Sequence, residues 1–121
     1  MPAQFTLPSS ARVRHRRDFA RLKQQGHRLA RAGLVLNWME LPPQSDPRLG
    51  LITTRKLGPA VVRNRCRRLL RESFRLNQHC LQRPADMIVV VRTNLVGKTF
   101  AAVQTEFLAA LRDAGLIKLN A

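Results

Sequence analysis

The sequence has 121 residues, of which 22 are Lys or Arg and 7 are Asp or Glu, giving a formal net charge of +15. This length fits about one domain, and a hydrophobic content of 45% excludes a basic chain too polar to fold. A positive field of this size attracts nucleic-acid backbones or anionic lipid. Arg predominates over Lys, which favours nucleic acid, because guanidinium groups pair bidentately with phosphate and stack on bases. We therefore predict a single RNA-binding domain over residues 1–121.

The chain has no apolar run of about 18 residues and no secretion signal near its start, so we expect a cytoplasmic protein without membrane contacts. An Arg-rich, acid-poor start also occurs in mitochondrial transit peptides, but Asp18 and Phe19 fit better the opening of a folded helix.

Cys66 and Cys80 are 14 positions apart. On one helix they would lie about 20 Å apart, too far for a disulfide, so we expect free thiols.

The first third of the chain predicts an arm, a helix and strands. Residues 1–13 have no periodicity and are expected to form an extended arm. Residues 16–25 fit a short helix with Phe19 and Leu22 facing inward, ended by Gly26 as a left-handed C-cap. Residues 33–41 and 48–56 alternate as strands do, joined by a turn-rich connector of hairpin length, and a short strand is suggested at 28–32.

The remaining elements are a basic helix, a strand and a second helix. The basic helix follows Gly58 and Pro59, with Pro59 at its first position, and runs to about Gln78. Residues 86–92 are a β-branched apolar run typical of a buried strand. Residues 99–115 predict an amphipathic helix with Thr99 as N-cap, Gly115 as C-cap and an inward stripe of Phe100, Val103, Phe107, Leu111 and Ala114.

The segment RKLGPAVVRNRCRRLLRESFR, residues 55–75, holds eight Lys or Arg and one acid. At helical spacing its apolar face comprises Val62, Cys66, Leu69, Leu70, Ser73 and Leu76, and its cationic face comprises Arg63, Asn64, Arg67, Arg68, Arg71 and Arg75, with Arg65 on the flank. Ordinary solvated faces mix charge signs, because like charges at i, i+4 repel. Here Arg repeats every four residues from Arg63 to Arg75, so the pattern favours phosphate binding over a solvated face.

This segment closely resembles the arginine-rich signature of the protein subunit of bacterial ribonuclease P, in which Lys-x-Gly-x-Ala-Val leads into Arg-Asn-Arg and further cations. The matching residues are Lys56, Gly58, Ala60, Val61, Arg63, Asn64, Arg65, Arg67, Arg68 and Arg71. The other predicted elements fall in the family's order and at its spacing, so the resemblance covers most of the chain.

The resemblance implies an α+β fold, a two-layer α/β sandwich similar to the second domain of ribosomal protein S5. The implied order is α-β-β-β-α-β-α, with a left-handed crossover between the strands that flank the basic helix. It also implies a protein component of ribonuclease P that binds the catalytic RNA and the 5′ leader of precursor tRNA and assists endonucleolytic removal of that leader. The active site and its Mg²⁺ would lie in the RNA, with no cofactor on the protein and no protein partner required.

The same resemblance assigns the binding residues. Contacts to the catalytic RNA are expected from Lys56, Arg63, Asn64, Arg65, Arg67, Arg68, Arg71 and Arg75. Contacts to the leader are expected in a cleft between the first helix and the sheet, from Phe19, Lys23, Arg16, Arg17 and Asn37. The family often has aromatic residues where this chain has Lys23 and Asn37, and strand alternation points Trp38 to the opposite face. Leader binding here is therefore expected to depend less on stacking and more on charge.

The sequence supplies no apparent catalytic chemistry of its own. Its seven acids are scattered, with no spacing that places two on one helix face or strand, and His15, His27 and His79 lack a metal-ligand pattern. Two alternatives remain open at this stage. A ribosomal or other RNA-binding protein of the same fold would not support cleavage of tRNA precursors with ribonuclease P RNA, and an autonomous nuclease would cleave without RNA.

Overall fold

The computed structural model describes residues 16–118, with the backbone alone for residues 16–19 and 23. The predicted arm over residues 1–13 lies outside this range. The elements follow the order α-β-β-β-α-β-α, as predicted. They are α1 (Arg16–Gln25), β1 (His27–Ala30), β2 (Leu34–Glu40), β3 (Arg48–Ile52), α2 (Ala60–Asn77), β4 (Ala85–Val91) and α3 (Phe100–Asp113).

The four strands form one mixed sheet in the order β1-β2-β4-β3. Strand β2 is antiparallel to both β1 and β4, whereas β3 is parallel to β4. The suggestion of a β2–β3 hairpin was therefore wrong, because β4 lies between these strands. Apart from Asp86, strand β4 is apolar on both faces, and it pairs on both edges, which places it in the interior of the sheet. Helix α2 is the crossover that joins the parallel neighbours β3 and β4.

The main core lies between one face of the sheet and helices α2 and α3. The alternation predicted for β2 is confirmed, since Leu34, Leu36 and Trp38 point into this core. Helix α1 lies against the opposite face, where Leu22 packs on Ile88. The two-layer α+β sandwich is thus confirmed, and α1 covers part of its otherwise open face.

Helix α2 is rotated from its predicted phase. Phe74 is buried and Leu76 is 40% exposed, although the sequence pattern placed Leu76 on the packed face. Phe74 belongs to the core cluster that α2 shares with α3, and its large ring draws that side of the helix inward. Arg63 lies on the same side of the helix as Phe74, and its Nε is buried without a hydrogen-bond partner among the described residues.

Three local predictions also need correction. Gly26 does not have a positive φ; a Cβ there would lie 2.6 Å from the carbonyl oxygens of Leu22 and Trp38, so a close backbone approach explains the glycine. Strand β3 ends at Ile52 because the chain then turns into a 3₁₀ segment, Arg55–Leu57, which buries Leu57. Pro59 is the N-cap of α2 instead of its first residue.

The C-terminal helix agrees closely with its sequence pattern. The Thr99 hydroxyl accepts a hydrogen bond from the Ala102 amide at 3.2 Å, and Gly115 adopts the expected left-handed conformation with φ 76°. None of the helices within residues 16–118 is long and apolar enough to cross a membrane.

Candidate nucleic-acid interface

The cationic side of α2 forms a continuous surface, hereafter the basic face, which comprises Arg63, Asn64, Arg67, Arg68, Arg71 and Arg75. Asn64 and Arg68 are exposed, and the other four are half-buried. Half-burial leaves the aliphatic stems against the protein, and at Arg63 the guanidinium Nε is buried as well. Arg65 is half-buried on the flank, and Lys56 is exposed in the segment before the helix. The structure therefore places the predicted catalytic-RNA-binding residues on one helix and on the segment directly before it.

Some cations of the basic face already have protein partners. Arg67 donates hydrogen bonds to Thr53 Oγ1, just beyond β3, and to Asn64 Oδ1. Because guanidinium can only donate, Asn64 must turn its oxygen toward Arg67 and its NH₂ group away. Asn64 thus presents N–H donors to its surroundings, as a phosphate or base acceptor requires. Arg67 acts here as an internal support as well as a charge.

Arg75 is paired within the helix. Its Nε lies 3.0 Å from Glu72 Oε2, and its Nη2 contacts Oε1 of the same carboxylate. The hydrogen bonds from Arg75 lower the pKa of Glu72, and that carboxylate in turn raises the pKa of Arg75. The negative charge at Glu72 therefore reduces the cationic field at the C-terminal end of the basic face.

A second candidate site is a groove of about 370 Å³ between α1 and the sheet, lined by Leu22, Gly26, His27, Arg28, Val35, Asn37 and Val90. Arg28 and Asn37 are directly paired across β1 and β2, so their side chains lie on the same face. Val35 and Val90 are likewise paired, across β2 and β4, and supply an apolar floor. The groove thus combines one cation and one amide with an apolar surface.

The structure locates one of the predicted leader-binding residues in this groove. Asn37 lines it, as expected, whereas the side chains of Phe19, Lys23, Arg16 and Arg17 lie outside the described residues. Trp38 is in the core on the other face, with its ring centroid 5.2 Å from that of His27, which confirms the strand-alternation argument.

Arg28 was missed as a groove residue. Its four-residue strand is too short to show periodicity, although its alternation with Leu29 points Arg28 away from the core.

Most of the acids in the described part of the chain form ion pairs with arginines, namely Glu40, Glu72, Asp86, Glu106 and Asp113. Glu106 and Asp113 lie seven residues apart on α3 and both bind Arg31, so the prediction that no two acids share a helix face was wrong. Seven residues make about two turns, a spacing that the sequence already contained. Within residues 16–118, no group of three or more His, Cys, Asp or Glu residues could hold a metal ion.

Both cysteines are free thiols, as predicted. Cys66 is buried in the core under α2, and Cys80 is exposed after the end of that helix. Burial raises the pKa of the Cys66 thiol, against the opposing influence of Arg65 and Arg67.

Comparisons with known proteins agree with this architecture. A sequence model of the family described as Ribonuclease P matches residues 7–115. A protein named ribonuclease P protein component from Syntrophomonas wolfei is 31% identical over 115 residues, which cover 95% of this chain and 96% of that protein. The solved RNase P protein of Staphylococcus aureus superposes with a TM-score of 0.81 at 28% identity, over 89% of this chain and 98% of that one. The RNase P protein of Thermotoga maritima gives a TM-score of 0.74 at 31% identity, over 84% and 96% of the two chains.

Proposed function

Because the chain belongs to the family of ribonuclease P protein components, we propose that its two candidate sites divide the RNA contacts of that enzyme. The chain is the RNA-binding protein component of an endoribonuclease of tRNA processing, and it associates with ribonuclease P RNA. In the proposal, the basic face binds this catalytic RNA, and the groove between α1 and the sheet binds the 5′ leader of precursor tRNA. The alternative of a ribosomal protein of the same fold is not favoured, since the relatives are named as ribonuclease P components.

The strong excess of positive charge along α2 is the observation that carries the proposal. Residues 55–75 contain one acid against eight cations, and the self-repulsion along the helix is relieved when phosphates neutralise it. Exposed Arg68 and the outward amide of Asn64 supply donors for phosphate or base acceptors. The flanking Lys56, Arg63, Arg65, Arg67, Arg71 and Arg75 extend the same field.

The groove has the chemistry of a site for single-stranded RNA. Arg28 can neutralise a phosphate, Asn37 can hydrogen-bond a base or ribose, and Val35 and Val90 offer an apolar surface to a base face. Phe19, Lys23, Arg16 and Arg17 belong to the proposed site by resemblance alone. Such a site tolerates many leader sequences, because stacking and charge contacts discriminate little among bases.

The chemical step is assigned to the RNA partner. We attribute cleavage to the RNA subunit with its own Mg²⁺, and we place the assembly in the cytoplasm without a further protein subunit. The ion-paired acids of this chain support this division, since Asp86, Glu106 and Asp113 are bound by arginines. The protein would contribute affinity and positioning.

Reconstitution with ribonuclease P RNA at low Mg²⁺ tests this function, scored by accurate removal of a leader from precursor tRNA. In that holoenzyme, Asn37→Ala should weaken binding of precursor tRNA with a leader of several nucleotides and leave mature tRNA binding unchanged. Asn94→Ala is the matched control, because Asn94 lies in a turn outside the groove, where it accepts a hydrogen bond from Lys98. Equal weakening of both RNAs by Asn37→Ala would contradict leader binding in the groove.

A further inference from the structure

We propose that Asp86 is a positioning residue for the leader groove, which it serves by fixing α1 on the sheet through Arg21. The inference rests on the proposed function of the groove and adds a residue outside it. Asp86 is the first polar group of β4, has no exposed side-chain surface and touches no groove-lining residue through its ion pairs.

Asp86 is itself held rigidly by the neighbouring strand. Arg48 lies directly opposite on β3 and donates from Nε to Oδ1 at 2.9 Å and from Nη2 to Oδ2 at 2.7 Å. This two-point contact fixes the carboxylate plane. The Oδ2 atom then also lies 3.5 Å from Arg21 Nη2 on α1, so one buried carboxylate connects β4, β3 and α1.

The apolar attachment of α1 is small. Among its described side chains, Leu22 is the buried apolar one, and it packs in a cluster with Ile88 and the partly buried Met39 and Ile52. This contact and the chain link through Gly26 to β1 both hold the end of α1 next to β1, so the helix can still turn about that end. The Arg21–Asp86 ion pair provides a second point of attachment.

The order of residues along β4 places the Arg21–Asp86 ion pair, the Leu22–Ile88 contact and the groove along one strand. Asp86, Ile88 and Val90 alternate on the face toward α1 and are about 7 Å apart in succession. Asp86 binds Arg21, Ile88 meets Leu22, and Val90 lines the groove. The ion pair and the groove therefore lie on opposite sides of the Leu22 contact. If Arg21 is released, α1 can turn about Leu22. The distance between α1 and the sheet across the groove then varies.

The test measures the leader contribution in the reconstituted holoenzyme, defined as the Kd for mature tRNA divided by the Kd for precursor tRNA. Arg21→Gln should reduce this ratio by about 3- to 30-fold, the range for residues that act on a site through packed neighbours. Arg21→Lys keeps the charge and a donor and should retain most of the ratio. Because the Arg21 side chain is 44% exposed, these variants should fold even if Asp86→Asn, which removes the buried carboxylate that Arg48 and Arg21 bind, does not.

Two further variants separate positioning from stability. Glu40→Gln removes one negative charge from the exposed Arg83–Glu40 pair on the same sheet and should leave the ratio unchanged. Where Asp86→Asn folds, combining it with Arg21→Gln should reduce the ratio no further than Asp86→Asn alone, since both changes remove the Arg21–Asp86 contact. Equal loss of affinity for both RNAs, with a lower melting temperature, would overturn the positioning role.

Asn37→Ala distinguishes failure of this inference from failure of the proposed function. If Asn37→Ala lowers the ratio and Arg21→Gln does not, the groove binds the leader and Asp86 has no part in it. If neither variant lowers the ratio, the groove is not the leader site and both proposals fail.

Discussion

Replacing Arg68 with Ala removes from the basic face a cation that no residue in the described part of the chain neutralises. Arg68 is exposed, whereas Arg67 binds Thr53 and Asn64, and Arg75 binds Glu72. If the basic face binds phosphates, replacing Arg68 should therefore change RNA affinity with the least interference from contacts inside the protein. Its removal should disturb the fold little, because an exposed side chain has few packing contacts.

The size of the effect follows from counterion release. Each phosphate contact contributes about 0.9 to the slope of log affinity against log salt on a duplex, and about 0.7 on a single strand. A fourfold rise in salt therefore costs each contact about 3-fold in affinity. Arg68→Ala should lower the slope for ribonuclease P RNA by about the value of one phosphate contact. The affinities of wild type and variant should therefore differ most at low salt and converge as salt rises.

Filter binding or fluorescence titration with ribonuclease P RNA at several salt concentrations measures this slope. Arg112→Ala is the matched control, because it removes the same charge from α3, outside the basic face. If Arg68→Ala leaves the slope unchanged, the solvated-face interpretation is restored. If Arg112→Ala lowers it equally, the protein acts through its overall field, without defined phosphate contacts on α2.

Two further predictions concern charge and pH. Glu72→Gln removes the one acid within residues 55–75 and should steepen the salt slope by up to about the value of one phosphate contact. An unchanged slope would place Glu72 outside the RNA-binding surface. Burial raises the pKa of Cys66, so the folded protein keeps a proton that the unfolded chain loses. The contribution of the Cys66 thiol to the free energy of unfolding should be complete below about pH 9. At higher pH the free energy of unfolding should fall by at most about 1.4 kcal/mol per pH unit. In urea unfolding across this range, Cys66→Ala should remove that part of the decline and Cys80→Ala, at an exposed thiol, should not.

Local patterns predicted the elements well because they depend on neighbours in sequence. The alternation of Leu34, Leu36 and Trp38 identified the buried face of β2, and Thr99 identified the start of α3. These features follow from side-chain period and from one local hydrogen bond. The resemblance, carried by the arginine-rich segment, supplied the family and the two proposed RNA-binding sites.

Features that depend on distant partners were not predictable from local patterns. The insertion of β4 between β2 and β3 is a choice of pairing that no local signal in the connector reveals. The phase of α2 is set by the fit of Phe74 against α3, which outweighs the position of Leu76 in a helical projection. The burial of Asp86 depends on Arg48 lying directly opposite it on another strand.

The placement of the acids explains where the surplus positive charge becomes available. Acids outside α2 mostly bind arginines on other elements, and these contacts attach the β1–β2 turn to α3, α1 to the sheet and β2 to the loop before β4. The pairs are Glu106 and Asp113 with Arg31, Asp86 with Arg48 and Arg21, and Glu40 with Arg83. Helix α2 holds a single acid, Glu72, among its cations. A chain of the same net charge with its acids moved onto α2 would lose both the tertiary ion pairs and the basic face, so the distribution of charge, more than its total, produces the face that we propose binds RNA.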